Sequence, residues 1–124
     1  MNTFLTKLMQ ALCGIKQVWH TQVNFKIHII MSLLATILGF TLSISILEWA
    51  LLTLVIFIVL ITETLNTVCE TQINLVSPTY HPLAKQSKDI ASGAVLLSAI
   101  LAISVGGFIF FPRLILLWSN IIGH

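Results

Sequence analysis

The stretch WALLTLVIFIVLITETLNTVCETQIN, residues 49–74, decides the fold, because it is long and apolar enough to cross a membrane. A helix needs about twenty apolar residues to cross roughly 30 Å of hydrocarbon. Its second half places Glu63, Asn66, Glu70 and Asn74 at steps of three, four and four residues. That spacing puts all four side chains on one face of a helix. A carboxylate at membrane depth costs about 3 kcal/mol, so this polar stripe indicates a functional site.

The composition of the whole chain is that of an integral membrane protein. Of its 124 residues, 57% are hydrophobic and only 8% are charged, and the mean hydropathy is +1.03. A soluble domain carries roughly 25% charged residues. The net charge is only +2 and no basic cluster is interleaved with aromatic residues, which argues against a nucleic-acid partner. We expect one membrane domain over residues 1–124.

Three further segments complete the predicted layout. In residues 3–20 apolar side chains recur every three or four positions, which predicts an amphipathic helix lying on the membrane surface. Residues 28–47 and 90–111 predict two more spans, beside the one at 49–74. Pro78 and Pro82 predict a loop over residues 75–87, with Ser87 or Asp89 capping the next helix, and Pro112 predicts the end of that helix. The fold class is therefore an all-α membrane protein with a surface helix and three transmembrane helices.

The basic residues predict the orientation in the membrane. Only Arg113 falls on one side, while five lysines fall on the side of the N-terminal helix and the second loop: Lys7, Lys16, Lys26, Lys85 and Lys88. The positive-inside rule makes that side cytoplasmic. The N-terminus lacks an early continuous apolar core, so we expect no signal peptide. Cys13 and Cys69 have no metal-binding spacing and are expected to be reduced thiols.

The polar residues on the cytoplasmic side include the chemical groups that phosphoryl transfer needs. Carboxylate and amide oxygens suit Mg²⁺, a lysine can hold phosphate, and a further carboxylate can accept a proton from a hydroxyl. Phosphoryl transfer needs positioning and charge neutralisation more than covalent chemistry. The chain has no Walker-A sequence and no protein-kinase glycine loop. Two alternatives remain, namely helix–helix hydrogen bonding by the stripe and a channel or proton relay.

Four segments carry a resemblance to a known family. They are ETLNTVCE at 63–70, YHPLA at 80–84, KDIASGAV at 88–95 and NFKIH at 24–28. Together they resemble the prokaryotic diacylglycerol kinase/undecaprenol kinase family over roughly residues 8–115, and NFKIH is more similar to the undecaprenol kinase branch. The resemblance implies a homotrimeric bundle whose active sites lie between neighbouring subunits. It also implies a kinase that transfers the γ-phosphate of ATP to a membrane lipid alcohol, either undecaprenol or diacylglycerol, with Mg²⁺.

The resemblance also assigns roles to individual residues. Glu63 would be the general base for the lipid hydroxyl, and Asn66 would orient the substrate beside it. Glu70 would bind Mg²⁺, with Gln22 as a weaker metal ligand because it stands where the family usually has a glutamate. The expected nucleotide-binding residues are Lys88, Asp89 and His81.

Three departures from the family pattern keep an alternative open. Besides Gln22, Asn74 replaces a usual aspartate and Thr79 replaces a usual glutamate. All three remove an acid from the cytoplasmic side and predict weaker metal and nucleotide binding. The alternative is a degenerate family member that serves as a structural subunit among other membrane proteins. Either protein would lie in a bacterial plasma membrane or a bacterial-derived organelle membrane.

Overall fold

The computed structural model describes residues 3–123, and within that range the chain forms four α-helices and no β-strand. Three of these helices are long and apolar enough to cross a membrane, namely all but the first. The all-α fold class with three membrane-spanning helices is therefore confirmed. The helices are α1 Thr3–Thr21, α2 Val23–Thr41, α3 Ile46–Val76 and α4 Pro82–Ile122.

The turn between α2 and α3 comes earlier than predicted, because α2 ends at Thr41 and α3 already begins at Ile46. The predicted span 28–47 is therefore wrong at its end. Ser45 starts α3 through a reciprocal cap, in which its hydroxyl accepts from the Glu48 amide at 3.2 Å and its own amide donates to Glu48 Oε1 at 3.1 Å. Ser43 takes the left-handed conformation, with φ 52°, that reverses the chain.

Helix α4 is longer at both ends than the sequence predicted. The loop covers only residues 77–81 instead of 75–87, and the N-cap is His81 rather than Ser87 or Asp89. Pro82 fits the first helical position, where a missing amide donor leaves no bond unmade. Pro112 lies inside the helix and does not end it. In a membrane span, the remaining backbone groups keep their helical bonds because hydrocarbon offers them no other partner.

The helix termini lie in two groups. We call the group around the α2–α3 turn the far end, and the group around the loop between α3 and α4 the near end. At the far end Ile44, Leu52, Ile109 and Phe110 form a buried apolar cluster that joins the α2–α3 turn to α4. Arg113 of α4 pairs there with Glu48 of α3. The near end holds the start of α2, the end of α3 and the start of α4. Helix α3 packs chiefly against α4, so the helix that carries the polar stripe is held mainly by α4.

Most hydroxyl side chains in the spans bond to their own helix. The Ser32, Thr36, Thr64 and Thr67 hydroxyls each donate to the carbonyl four residues earlier, at 2.6–2.9 Å. These bonds satisfy the hydroxyls without any neighbouring helix. Contact between helices therefore rests on apolar packing and on the two polar sites at the near and far ends.

Candidate active site

Helix α3 buries the first two members of the polar stripe. Glu63 is 1% exposed and Asn66 is 8% exposed, whereas the other buried residues of this helix are the apolar Leu52, Val55 and Val59. Asn66 Nδ2 donates at 3.4 Å to Oε1 of Glu70, one turn further on, which links these two side chains on the face that also bears Glu63. The predicted face is therefore correct, and it points into the protein at Glu63 and Asn66.

Two oxygen atoms in this stripe lack any hydrogen-bond partner. They are Glu63 Oε2 and Asn66 Oδ1, both buried. A buried acceptor without a donor costs about 1–3 kcal/mol or more, so these two oxygens lower the stability of the folded protein. Such atoms are free to accept from a substrate hydroxyl or to bind a cation. The arrangement is that expected of a site completed by a ligand.

An apolar cavity of about 580 Å³ lies among α2, α3 and α4, and its lining on α3 ends at Val59, one turn before Glu63. His28 and Ser32 line it near one end, and Gly106 and Phe110 line it towards the far end. The sequence indicated His28 only as part of the NFKIH segment, and its place in the lining of this cavity was not visible in the spacing.

The near end holds the predicted nucleotide-binding residues. Lys88 Nζ donates to Asn74 Oδ1, which ties the start of α4 to the end of α3. Asp89 pairs instead with Lys85, with 2.6 Å between Nζ and Oδ2, on the exposed surface of α4. His81 Nδ1 accepts from the Leu83 amide at 3.1 Å and so caps α4. One of its two ring nitrogens is therefore occupied by a structural bond.

Among the hydrogen bonds of residues 3–123, none joins Gln22 to Glu70, the other predicted metal ligand. Gln22 is the N-cap residue of α2, its side chain makes no cap bond, and its Nε2 reaches only the Thr21 hydroxyl at 3.5 Å. Across residues 3–123 no group of three or more His, Cys, Asp or Glu side chains is arranged to hold a metal ion. A Mg²⁺ ion that takes one or two carboxylates and completes its shell with substrate phosphates and water needs no such group. The hard oxygens of Glu70, together with the unpartnered Asn66 Oδ1, fit that mode of binding.

The site extends along α3 rather than forming one compact cluster. Glu63 and Asn74 are eleven positions apart, which is about 16 Å at 1.5 Å per residue. Glu63 occupies the membrane-side end, Lys88 joins at the near end, and Glu70 lies between them. Sequence reasoning missed Lys85 as the partner of Asp89, although their spacing of four in a helix was a usable signal.

The sequence of residues 9–110 matches the family described as prokaryotic diacylglycerol kinase. The chain belongs to the prokaryotic diacylglycerol kinase family. Members are lipid kinases, enzymes that transfer a phosphoryl group from ATP to a lipid, and the predicted enzyme class is thereby confirmed. Together with the three apolar helices, the family match places the chain among integral-membrane kinases of prokaryotic type.

Individual relatives agree with this family. Undecaprenol kinase of Bacillus subtilis (strain 168) is 36% identical over 114 residues, which cover 92% of this chain and 93% of the relative. Diacylglycerol kinase of Synechocystis is 39% identical over 112 residues, covering 90% of this chain but 64% of the relative. Diacylglycerol kinase of Escherichia coli (strain K12) is 29% identical over 107 residues, covering 86% and 82% respectively. None of these comparisons supports the structural-subunit alternative.

Proposed function

We propose that this protein is a Mg²⁺-dependent kinase that phosphorylates the terminal hydroxyl of a membrane lipid alcohol, with undecaprenol as the first candidate and diacylglycerol as the second. The observation that carries the proposal is the unpartnered Glu63 Oε2, a buried carboxylate oxygen at membrane depth. The undecaprenol kinase relative matches nearly end to end, and the NFKIH segment at 24–28 favours the same branch.

Glu63 acts as the general base in this proposal. The free oxygen of Glu63 accepts the proton of the lipid hydroxyl as the hydroxyl oxygen attacks the γ-phosphorus of ATP, and ADP leaves. General base catalysis of this kind contributes about 10²–10⁴-fold to a rate. Asn66 holds the hydroxyl and the transferring phosphoryl group in line, because its amide presents one bonded donor and one free acceptor. The apolar cavity that ends at Val59, one turn before Glu63, suits the chain of a lipid substrate.

Glu70 is the main Mg²⁺ ligand in this scheme, and Gln22 is at most a weak one. When bound, Mg²⁺ neutralises charge on the phosphate oxygens as the phosphoryl group moves. Glu70 precedes Asn74 by one turn on the same face of α3, so it lies between the base and the lysine. A Mg²⁺ ligand at that position would lie beside the middle of a nucleotide that extends from the near end towards Glu63.

The near end binds the ATP phosphates and the rest of the nucleotide. Lys88 is the phosphate ligand, because its partner is a neutral amide and its charge is not cancelled. Asp89 supports the site through its pair with Lys85, and the exposed ring of His81 is available to the nucleotide. The lysine-rich near end is cytoplasmic by the positive-inside rule, and ATP is available there. The membrane is the bacterial plasma membrane or a bacterial-derived organelle membrane.

A homotrimer with sites shared between subunits completes the proposal. A single chain leaves the apolar residues of α1 exposed, including Leu5 at 52% and Leu12 at 58%, and these suit the membrane surface. The same proposal takes residues 1–124 as one domain, with α1 as its surface helix. A neighbouring α-helical subunit would close the face of α3 that bears Glu70 and Asn74, which are less buried than Glu63.

The experiment is a lipid panel with the purified protein in detergent micelles. Labelled ATP and Mg²⁺ are supplied with undecaprenol, a shorter polyprenol, diacylglycerol or a sterol, and labelled lipid is extracted and counted. We expect transfer to the polyprenols, with undecaprenol giving the highest kcat/KM. Preferential transfer to diacylglycerol would assign the second candidate. No transfer to any lipid alcohol would contradict the kinase proposal.

A further inference from the structure

Two lysines at the start of α4 have partners of different charge. Lys85 pairs with the Asp89 carboxylate at 2.6 Å. Lys88, nearly one turn away, donates to the neutral Asn74 amide oxygen. The first pair has no net charge, whereas the second keeps the full positive charge of the ammonium group. Lys88 is therefore the more effective of these two cations for an anionic ligand.

We propose that Asn74 is a positioning residue, which holds the Lys88 ammonium group for a nucleotide polyphosphate without neutralising it. A lysine has three donors and no acceptor, so one bond to Asn74 leaves two donors for phosphate oxygens. A carboxylate at position 74 would fix the lysine equally well, but it would compete with phosphate for the same charge. The neutral Asn74 therefore favours nucleotide binding in this protein, contrary to the weaker binding predicted from the missing acid in the sequence. This inference rests on the proposed kinase function.

The placement of the two residues supports a positioning role. Asn74 lies in the last turn of α3 and Lys88 in the second turn of α4, on either side of the loop 77–81. Their bond therefore spans the loop and restrains a long, flexible side chain before any ligand arrives. Restraining a side chain in its bound conformation lowers the entropy that binding must remove. Glu70, one turn before Asn74 on the same face, is close enough in the helix to serve the same polyphosphate.

The test compares Asn74→Asp with Gln86→Glu, an exposed residue two positions before Lys88 that does not face Lys88 on the helix. The two variants add the same charge close to Lys88. We expect Asn74→Asp to raise the KM for ATP about fivefold or more, from the Coulomb energy of one charge pair, with kcat nearly unchanged. Gln86→Glu should leave both constants close to those of the wild type. Asn74→Ala should raise the KM by a smaller factor, because it removes the restraint without adding a charge.

A binding measurement separates this inference from the kinase proposal. Displacement of a fluorescent trinitrophenyl nucleotide by ATP reports affinity whether or not the protein turns over. We expect Asn74→Asp to weaken ATP binding, and we expect this effect to vanish in a Lys88→Met background. Equal ATP affinity in the wild type and Asn74→Asp, or an undiminished effect in Lys88→Met, would overturn the positioning role. Absence of phosphorylated lipid with normal, Asn74-sensitive ATP binding would instead contradict the kinase proposal alone.

Discussion

The Arg113 guanidinium donates through both terminal nitrogens to the Glu48 carboxylate, which fastens the last third of α4 to the first turn of α3. Glu48 also accepts from the Ser45 amide, and Arg113 Nη1 also donates to the Ile109 carbonyl at 3.1 Å. The ion pair therefore joins the α2–α3 turn, α3 and α4 at the far end. It fixes the register of the two helices that carry the candidate site.

Breaking this ion pair should destabilise the fold without changing any residue of the candidate active site. We expect Arg113→Gln and Glu48→Gln each to lower the thermal unfolding midpoint in detergent, measured by circular dichroism. The double variant should be little worse than either single variant, because the two changes remove the same contact. Arg113→Lys is the matched control, since it keeps the charge but cannot form the two-pronged contact. Additive effects of the two glutamine variants would show that the pair does not act as a unit.

Gly39 allows the close approach of α2 to α3. A Cβ at this position would lie 2.8 Å from Trp49 Cη2 and 3.1 Å from Ile44 Cδ1. We expect Gly39→Ala to destabilise the protein by about 1–3 kcal/mol, the usual cost of overpacking. Gly107→Ala is the control, because nothing lies within 4 Å of its Cβ and alanine favours helix by about 1 kcal/mol. Equal unfolding midpoints for the two variants would contradict the packing at the far end.

The Mg²⁺ requirement should depend on Glu70. Glu70→Gln replaces a charged oxygen ligand with a neutral one, while its amide oxygen keeps an acceptor for the Asn66 amide. We expect the Mg²⁺ concentration for half-maximal activity to rise about tenfold or more, by analogy with losses at metal-site residues. The KM for the lipid at saturating Mg²⁺ should change little. An unaltered Mg²⁺ titration would remove Glu70 from the metal site.

Glu63 and Lys88 of one site lie on the same chain in this scheme, and the neighbouring subunit closes that site. We expect Glu63→Gln and Lys88→Met to be nearly inactive when expressed alone. When the two variants are co-expressed and purified as one oligomer, no chain carries both an intact Glu63 and an intact Lys88, so we expect no recovery of activity. Recovery of about a quarter of wild-type activity, the value for random mixing in a closed ring, would show instead that each site takes these two residues from different subunits.

The sequence predicts the helices and the polar face of α3, because hydrophobic runs and residue spacing follow helical geometry directly. It does not predict the termini of α2 and α4. Those depend on the Ser45–Glu48 cap, on the left-handed Ser43 and on the tolerance of a membrane helix for Pro112. Each of these features depends on the backbone conformation that surrounding contacts impose.

The stripe residues could be assigned to one face from spacing alone, but their partners could not. Asn74 counted in the sequence as the last member of the stripe and as a missing acid, whereas the structure places it as the acceptor for Lys88 across 14 positions. The place of His28 in the lining of the apolar cavity likewise depends on how α2 packs against α3. Contacts between helices are set by crossing geometry, which a single sequence does not contain.

The most direct test of the central claim is phosphoryl transfer by the wild type and Glu63→Gln, side by side, from labelled Mg·ATP to undecaprenol. Glutamine keeps the size of the buried side chain and removes the base. Thr64→Val serves as the control on the next position of α3, where the hydroxyl bonds only to the Leu60 carbonyl, at 2.8 Å. We predict a rate lower by about 10²-fold or more for Glu63→Gln, with an unchanged unfolding midpoint or a higher one. Equal rates for the wild type and Glu63→Gln would contradict the account.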